Sequence, residues 1–139
     1  LLDEVIQIRL ADKEVVLGSI WNGRLQAIAD KGAPVAIEWN EAALQVQFWG
    51  VMKGAKNAEN AQRFIDFACQ PQIQATHATF IPYGPTNRQA FKYIKPEVAA
   101  RLPSSPEHKP KAFLHNARWW ADNRSKVSER WSQWLLQKG

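Results

Sequence analysis

The stretch VVLGSIWNGRLQAIADKGAPVAI, residues 15–37, limits the fold more than any other. Val15, Val16, Leu17 and Gly18 form a short, wholly apolar run, the pattern of a strand buried on both faces of a parallel sheet. Trp21-Asn22-Gly23 follows as a turn. Asn22 has the side chain of a helix N-cap, and Leu25, Ile28 and Ala29 fall on one face of a helix that Gly32 stops. A second strand is predicted to begin after Pro34, in APVAIEW. Strand, helix and strand in this order predict an α/β architecture. In such sheets ligands sit outside the carboxyl ends of strands, which is where Trp21 stands.

The remaining segments extend this pattern. Apolar residues between Leu2 and Leu10 predict an opening helix. Residues 42–54, AALQVQFWGVMKG, alternate: Leu44, Val46, Phe48, Gly50 and Met52 point to one side, predicted to be core. Gln45, Gln47, Trp49 and Val51 point to the other. Asn57 is predicted to cap a helix through Cys69, with Ala61, Phe64, Ile65 and Ala68 on the buried stripe. Pro71 suits the first turn of the next helix, which carries Ile73 and Phe80. In IPYGPTN two prolines and a glycine fix Tyr83 in a rigid loop. Asn87 caps a short helix, and Pro96 opens another through Leu102. PSSPEHKPKA reads as a polar loop, and a long terminal helix runs from about His115 to Gln137. Trp120, Val127, Trp131, Trp134 and Leu135 lie on its apolar stripe and are expected to be buried.

A chain of 139 residues is enough for one domain with a core, and no internal repeat or low-complexity tract divides it. The single cysteine, Cys69, has no disulfide partner and reads as a small buried hydrophobe. No segment approaches the roughly 18–20 apolar residues of a membrane span. No secretory signal pattern is present, and a start at Leu1 points to a piece of something longer.

Chemistry for catalysis is sparse. His77, His108 and His115 stand in no known catalytic signature, and neither a G-x-S-x-G elbow, an H-E-x-x-H pair nor a phosphate loop occurs. No His or Cys pair has metal-ligand spacing. The chain therefore reads as a non-enzyme without metal or cofactor. What remains is a binding face. Trp21, Gln45, Gln47, Trp49, Tyr83 and Trp120 combine flat π surfaces with neutral hydrogen-bonding groups, suited to a small ligand.

At these residues the chain resembles the periplasmic solute-binding proteins of ABC importers, in particular the spermidine/putrescine-binding group. The matching words are EVVLGSIWNGR, GVMKGAKNAENAQRFIDFACQP and IPYGPTN. The resemblance implies a type II periplasmic-binding-protein fold, with two α/β lobes clamping a ligand between them. Residues 1–139 would be the C-terminal lobe segment: a mixed sheet flanked by helices, with a long C-terminal helix and no N-terminal lobe. It further implies a periplasmic location, no enzymatic activity, a small-molecule ligand, and a membrane permease as partner. Trp21 would be a ligand-packing aromatic, with Asn22 in the same turn, and Tyr83 a second cleft residue. Trp120 aligns with a glutamine that family members use in the cleft.

One departure bears on the ligand. Polyamine binders carry a Trp-x-Asp pair on the strand before the GAKN turn, and Gln45 and Gln47 take those places here. A carboxylate is replaced by an amide, and charge-assisted bonds are roughly twice as strong as neutral ones. Arg24 and the positive end of the helix it belongs to add positive potential at the Trp21-Asn22-Gly23 turn. The implied ligand is an amine or polyamine-like solute; the alternative is an amino-acid-like zwitterion or an organic anion.

A nucleic-acid-binding module is a reading of another class. The net charge of +5 and the seven tryptophans suggest it. It is set aside because no basic run occurs and the C-terminal tryptophans fall on a helical stripe. If a lobe is missing, surface it would cover is left open, and the chain is expected to self-associate.

Overall fold

The structure is a computed structural model that describes residues 2–138, and the side chains of 5–137. Leu1, and the place of the Leu2 side chain in the opening apolar pattern, lie outside the described residues. The elements in order are α1 (Leu2–Ala11), α2 (Asn22–Ala29), β1 (Ala43–Leu44), α3 (Ala58–Ala68), α4 (Pro71–Phe80), α5 (Pro96–Ala99), β2 (Phe113–Leu114) and α6 (Ala117–Lys138). Two 3-10 helices, Arg88–Lys92 and Lys109–Lys111, flank α5.

The core lies beneath α4, the first 3-10 helix and α5. Ala75, Ala78, Ala90, Ile94 and Leu102 are buried together, with Phe91, Val98 and Ala99 packed against them. Three alanines in this set let α4 and the Arg88–Lys92 turn approach closely. Pro71 starts α4, where its missing N–H costs nothing. Asn87 caps the 3-10 helix as its position predicts: its side chain accepts from Gln89 N at 3.0 Å, while its Nδ2 donates to the Cys69 carbonyl at 3.0 Å. That pair of bonds ties the end of α3 to the loop beyond α4.

The sheet is smaller than the sequence pattern predicts. Among the described residues it has two strands, β1 and β2, paired in parallel with Ala43 opposite Phe113 and Leu44 opposite Leu114. Residues 15–18 form no strand. Val16 is fully exposed, and the segment turns back over α1, with Val15 N donating to the Arg9 carbonyl at 3.3 Å. Residues 34–39 form no strand, and the strand expected through Met52 ends at Leu44. The reason is common to all three: a strand buried on both faces needs neighbouring strands to pair with, and none pairs with these segments among the described residues. Val46, Phe48 and Met52, expected to be core, are consequently exposed. β2, in turn, falls between the polar loop that ends at Ala112 and the helix predicted from about His115, where the sequence pattern predicts no strand.

Other burial expectations also fail. Phe64 is exposed and lies flat on Trp49, ring centroids 5.1 Å apart, while Ala61, Ile65 and Ala68 are half-buried. Phe80 is exposed at the end of α4. Cys69 is exposed because it is the C-cap of α3, where the chain leaves for Pro71. On α6, Trp120, Trp131, Trp134 and Leu135 are all exposed: Trp120 stacks on His115 just before the helix, and Trp131 stacks on Trp134 within it. Burial therefore does not distinguish this helix from a stacking platform. No described helix is long and apolar enough to cross a membrane.

Candidate functional site

The Trp21-Asn22-Gly23 turn opens α2. Trp21 is the N-cap residue in extended conformation, and its carbonyl accepts from Arg24 N at 2.9 Å. Asn22, expected to be the N-cap, is instead the first helical residue. Its side chain makes no bond to its own helix; the Nδ2 group donates to the Pro82 carbonyl. The amide is drawn away because the Ile81–Asn87 loop passes directly over the turn.

Tyr83 is the next residue of that loop. Its ring lies against Gly23: a Cβ placed there would come 2.9 Å from Cε1 and 3.0 Å from Cζ. Two loops 60 residues apart are thus joined twice, by an amide strut and by a ring seated on a glycine. Trp21 and Tyr83 stay 40% and 39% exposed, so neither ring is consumed by the core. The structure brings Trp21, Asn22 and Tyr83 into one place. α2 has no acidic residue in its first turn to neutralise its N-terminal N–H groups, and Arg24 is exposed beside them.

Gln45, Gln47 and Trp120 form a separate group. Gln45 directly follows β1, and both glutamines are exposed on the extended chain beyond it. His115 N donates to the Leu44 carbonyl at 2.9 Å, and the His115 ring stacks on Trp120 with centroids 5.8 Å apart. Trp120 therefore stands beside the strand that leads into Gln45. No acidic residue occurs between Glu41 and Glu59, so this segment offers a ligand amides and an indole and no carboxylate. No hydrogen bond or ring contact among the described residues joins this group to Trp21 and Tyr83. No described cluster of three or more His, Cys, Asp or Glu side chains comes together for a metal.

Two features escape a reading of the sequence. Gly23 carries the ring of Tyr83, and its only signal is a glycine at the second position of a helix. Trp39 stacks on the buried His108 with centroids 4.4 Å apart and 12° between planes. Neither residue stands in a recognisable pattern, because the contact spans two segments of no regular structure.

Residues 3–110 match the family of bacterial extracellular solute-binding proteins. The chain belongs to that family. Among solute-binding relatives it is similar to the gamma-aminobutyric acid-binding protein of Pseudomonas aeruginosa, 33% identical over 128 residues, which are 92% of this chain and 36% of that protein. The spermidine/putrescine-binding periplasmic protein of Escherichia coli K12 is 35% identical over 91 residues, 62% of this chain and 25% of that protein. A crystal structure of an ABC transporter substrate-binding protein from Bradyrhizobium japonicum superposes with a TM-score of 0.79 at 34% identity. The match takes in 94% of this chain and 42% of that one. The fold is therefore part of a lobe of the type II periplasmic-binding-protein architecture. The chain spans roughly a quarter to two fifths of the solute-binding proteins it resembles.

Proposed function

We propose that residues 1–139 are the C-terminal-lobe portion of the periplasmic receptor of an ABC importer. The chain contributes one wall of an interlobe cleft, in which Trp21 and Tyr83 pack against a small amine-bearing solute. The receptor performs no chemistry; it closes on its solute and hands it to the membrane permease. The observation that carries this reading is the pairing of two half-exposed aromatic rings through Asn22 and Gly23, at a turn that opens a helix. Rings left half-open by two loops that brace each other are pre-organised for a ligand, not for a core.

Within the amines, an amino-acid zwitterion is favoured over a polyamine. A dication needs carboxylates, and the segment around Gln45 and Gln47 has none. Arg24 and the uncapped start of α2 suit a ligand carboxylate instead. A relative similar over 92% of this chain is a gamma-aminobutyric acid-binding protein, which supports this ordering.

Calorimetric titration with γ-aminobutyrate, putrescine and spermidine tests the proposal. Binding of γ-aminobutyrate ahead of the two polyamines is expected, and its loss in Trp21→Ala with unchanged far-UV circular dichroism. Tighter binding of spermidine would reverse the ligand order, and full affinity in Trp21→Ala would remove Trp21 from the cleft.

A further inference from the structure

We infer that Gly23 is a positioning residue for the solute: it touches no ligand, but by lacking a side chain it fixes where the Tyr83 ring stands relative to Trp21. This rests on the reading of Trp21 and Tyr83 as walls of one cleft. The contact is closer than a side chain permits. A Cβ at Gly23 would sit 2.9 Å from Tyr83 Cε1, 3.0 Å from Cζ and 3.2 Å from the hydroxyl oxygen. All three atoms belong to the outer half of the ring, so the ring swings away and the backbone stays.

Elsewhere on the two loops nothing else yields. The Pro82 carbonyl is held by Asn22 Nδ2, one residue before Tyr83. Gly84, one residue after it, is pressed against Ser104, whose backbone nitrogen would lie 2.9 Å from an added Cβ. Pro85 is buried, and its carbonyl accepts from Ser104 Oγ at 3.0 Å. The backbone on both sides of Tyr83 is fixed, which leaves the side-chain torsions of Tyr83 as the one free coordinate. Gly23 closes that coordinate from one side. Asn22 and Gly23 divide the work: the amide sets the height of the loop, and the glycine sets the angle of the ring. The second tyrosine shows the contrast, for the Tyr93 hydroxyl is held by Gln72 Nε2 at 3.1 Å, far from the turn in sequence.

The substitution that probes this is mild for the fold. Gly23 sits inside α2 with no left-handed backbone requirement, and alanine is the better helix former. Gly23→Ala therefore keeps the helix and moves the ring.

The test has two arms. The chain has two tyrosines, so 3-fluorotyrosine labelling gives two fluorine resonances, and Tyr83→Phe assigns one of them. In Gly23→Ala the Tyr83 resonance is expected to move while that of Tyr93 does not. Calorimetry with γ-aminobutyrate and with putrescine then compares the unsubstituted chain, Gly23→Ala, Tyr83→Ala and the double variant. Gly23→Ala is expected to weaken whichever probe binds by about tenfold, and to add nothing in the Tyr83→Ala background, as for two residues acting through one contact. An unmoved Tyr83 resonance, unchanged affinity in Gly23→Ala, or a full second loss in the double variant each overturns the inference while leaving the cleft reading in place. If the unsubstituted chain binds neither probe, the cleft reading falls and the role toward a solute falls with it. The fluorine shift then still decides whether Gly23 seats the ring.

Discussion

The indole of Trp39 lies flat on the imidazole of His108, 4.4 Å between ring centroids and 12° from coplanar. The histidine is 5% exposed, and its Nδ1 bonds the Leu102 carbonyl at 2.9 Å, so this nitrogen carries the proton. Leu102 is itself fully buried. One imidazole thus joins the unpaired segment at Trp39, the loop after α5 and the core. His108→Ala removes the stacked pair and one of the two hydrogen bonds to the Leu102 carbonyl, which keeps Ser105 N at 3.2 Å. Those losses sum to about 1–3 kcal/mol. Urea unfolding should show it as a lower midpoint with an unchanged slope; a loss below about 0.5 kcal/mol would mean that the stacked imidazole does not tie Trp39 to the core.

Gly84 and Gly50 are expected to part company when each is changed to alanine. At Gly84 a Cβ would meet the Ser104 side chain and lie 2.9 Å from its backbone nitrogen, so the two loops must separate. Forcing atoms into a filled space costs about 1–3 kcal/mol. At Gly50 nothing lies within 4 Å, and the same substitution should leave the unfolding midpoint where it was. Equal effects at both positions would contradict the tight crossing of the loops.

Self-association of the isolated chain remains a proposal, and the exposed segment beyond β1 gives it a place. Val46, Phe48, Trp49 and Met52 are all exposed on a stretch that no described strand pairs with. Open apolar edges of this kind recruit other chains. Light scattering coupled to size exclusion should give a mass that rises with loading concentration. Phe48→Ser with Met52→Ser should lower it toward the monomer. A monomer at every concentration in the unsubstituted chain would mean that the segment folds back or stays solvated.

Much of the helical framework is legible in the sequence. Pro71, Asn87 and Pro96 act over one turn of backbone, and the elements they start begin where those residues predict, although the helix from Pro96 ends at Ala99 and not at Leu102. The family is legible for the same reason, because turns such as Trp21-Asn22-Gly23 and the loop around Tyr83 are written in contiguous residues. Strands are another matter. The apolar runs at 15–18 and 46–52 carry the strand pattern, yet pattern is only half of a strand, since the other half is a neighbour to pair with. This chain spans about two fifths of the solved relative, and among its described residues no strand pairs with those segments.

Local chemistry along the chain therefore determined which residues start and stop helices, and which turns bear the aromatic rings. Only the tertiary structure decided that Asn22 spends its amide on Pro82, that Tyr83 rests on Gly23, and that His108 lies under Trp39. Each of these joins segments more than 55 positions apart or without regular structure, where the deciding energy is a contact through space and no periodicity records it.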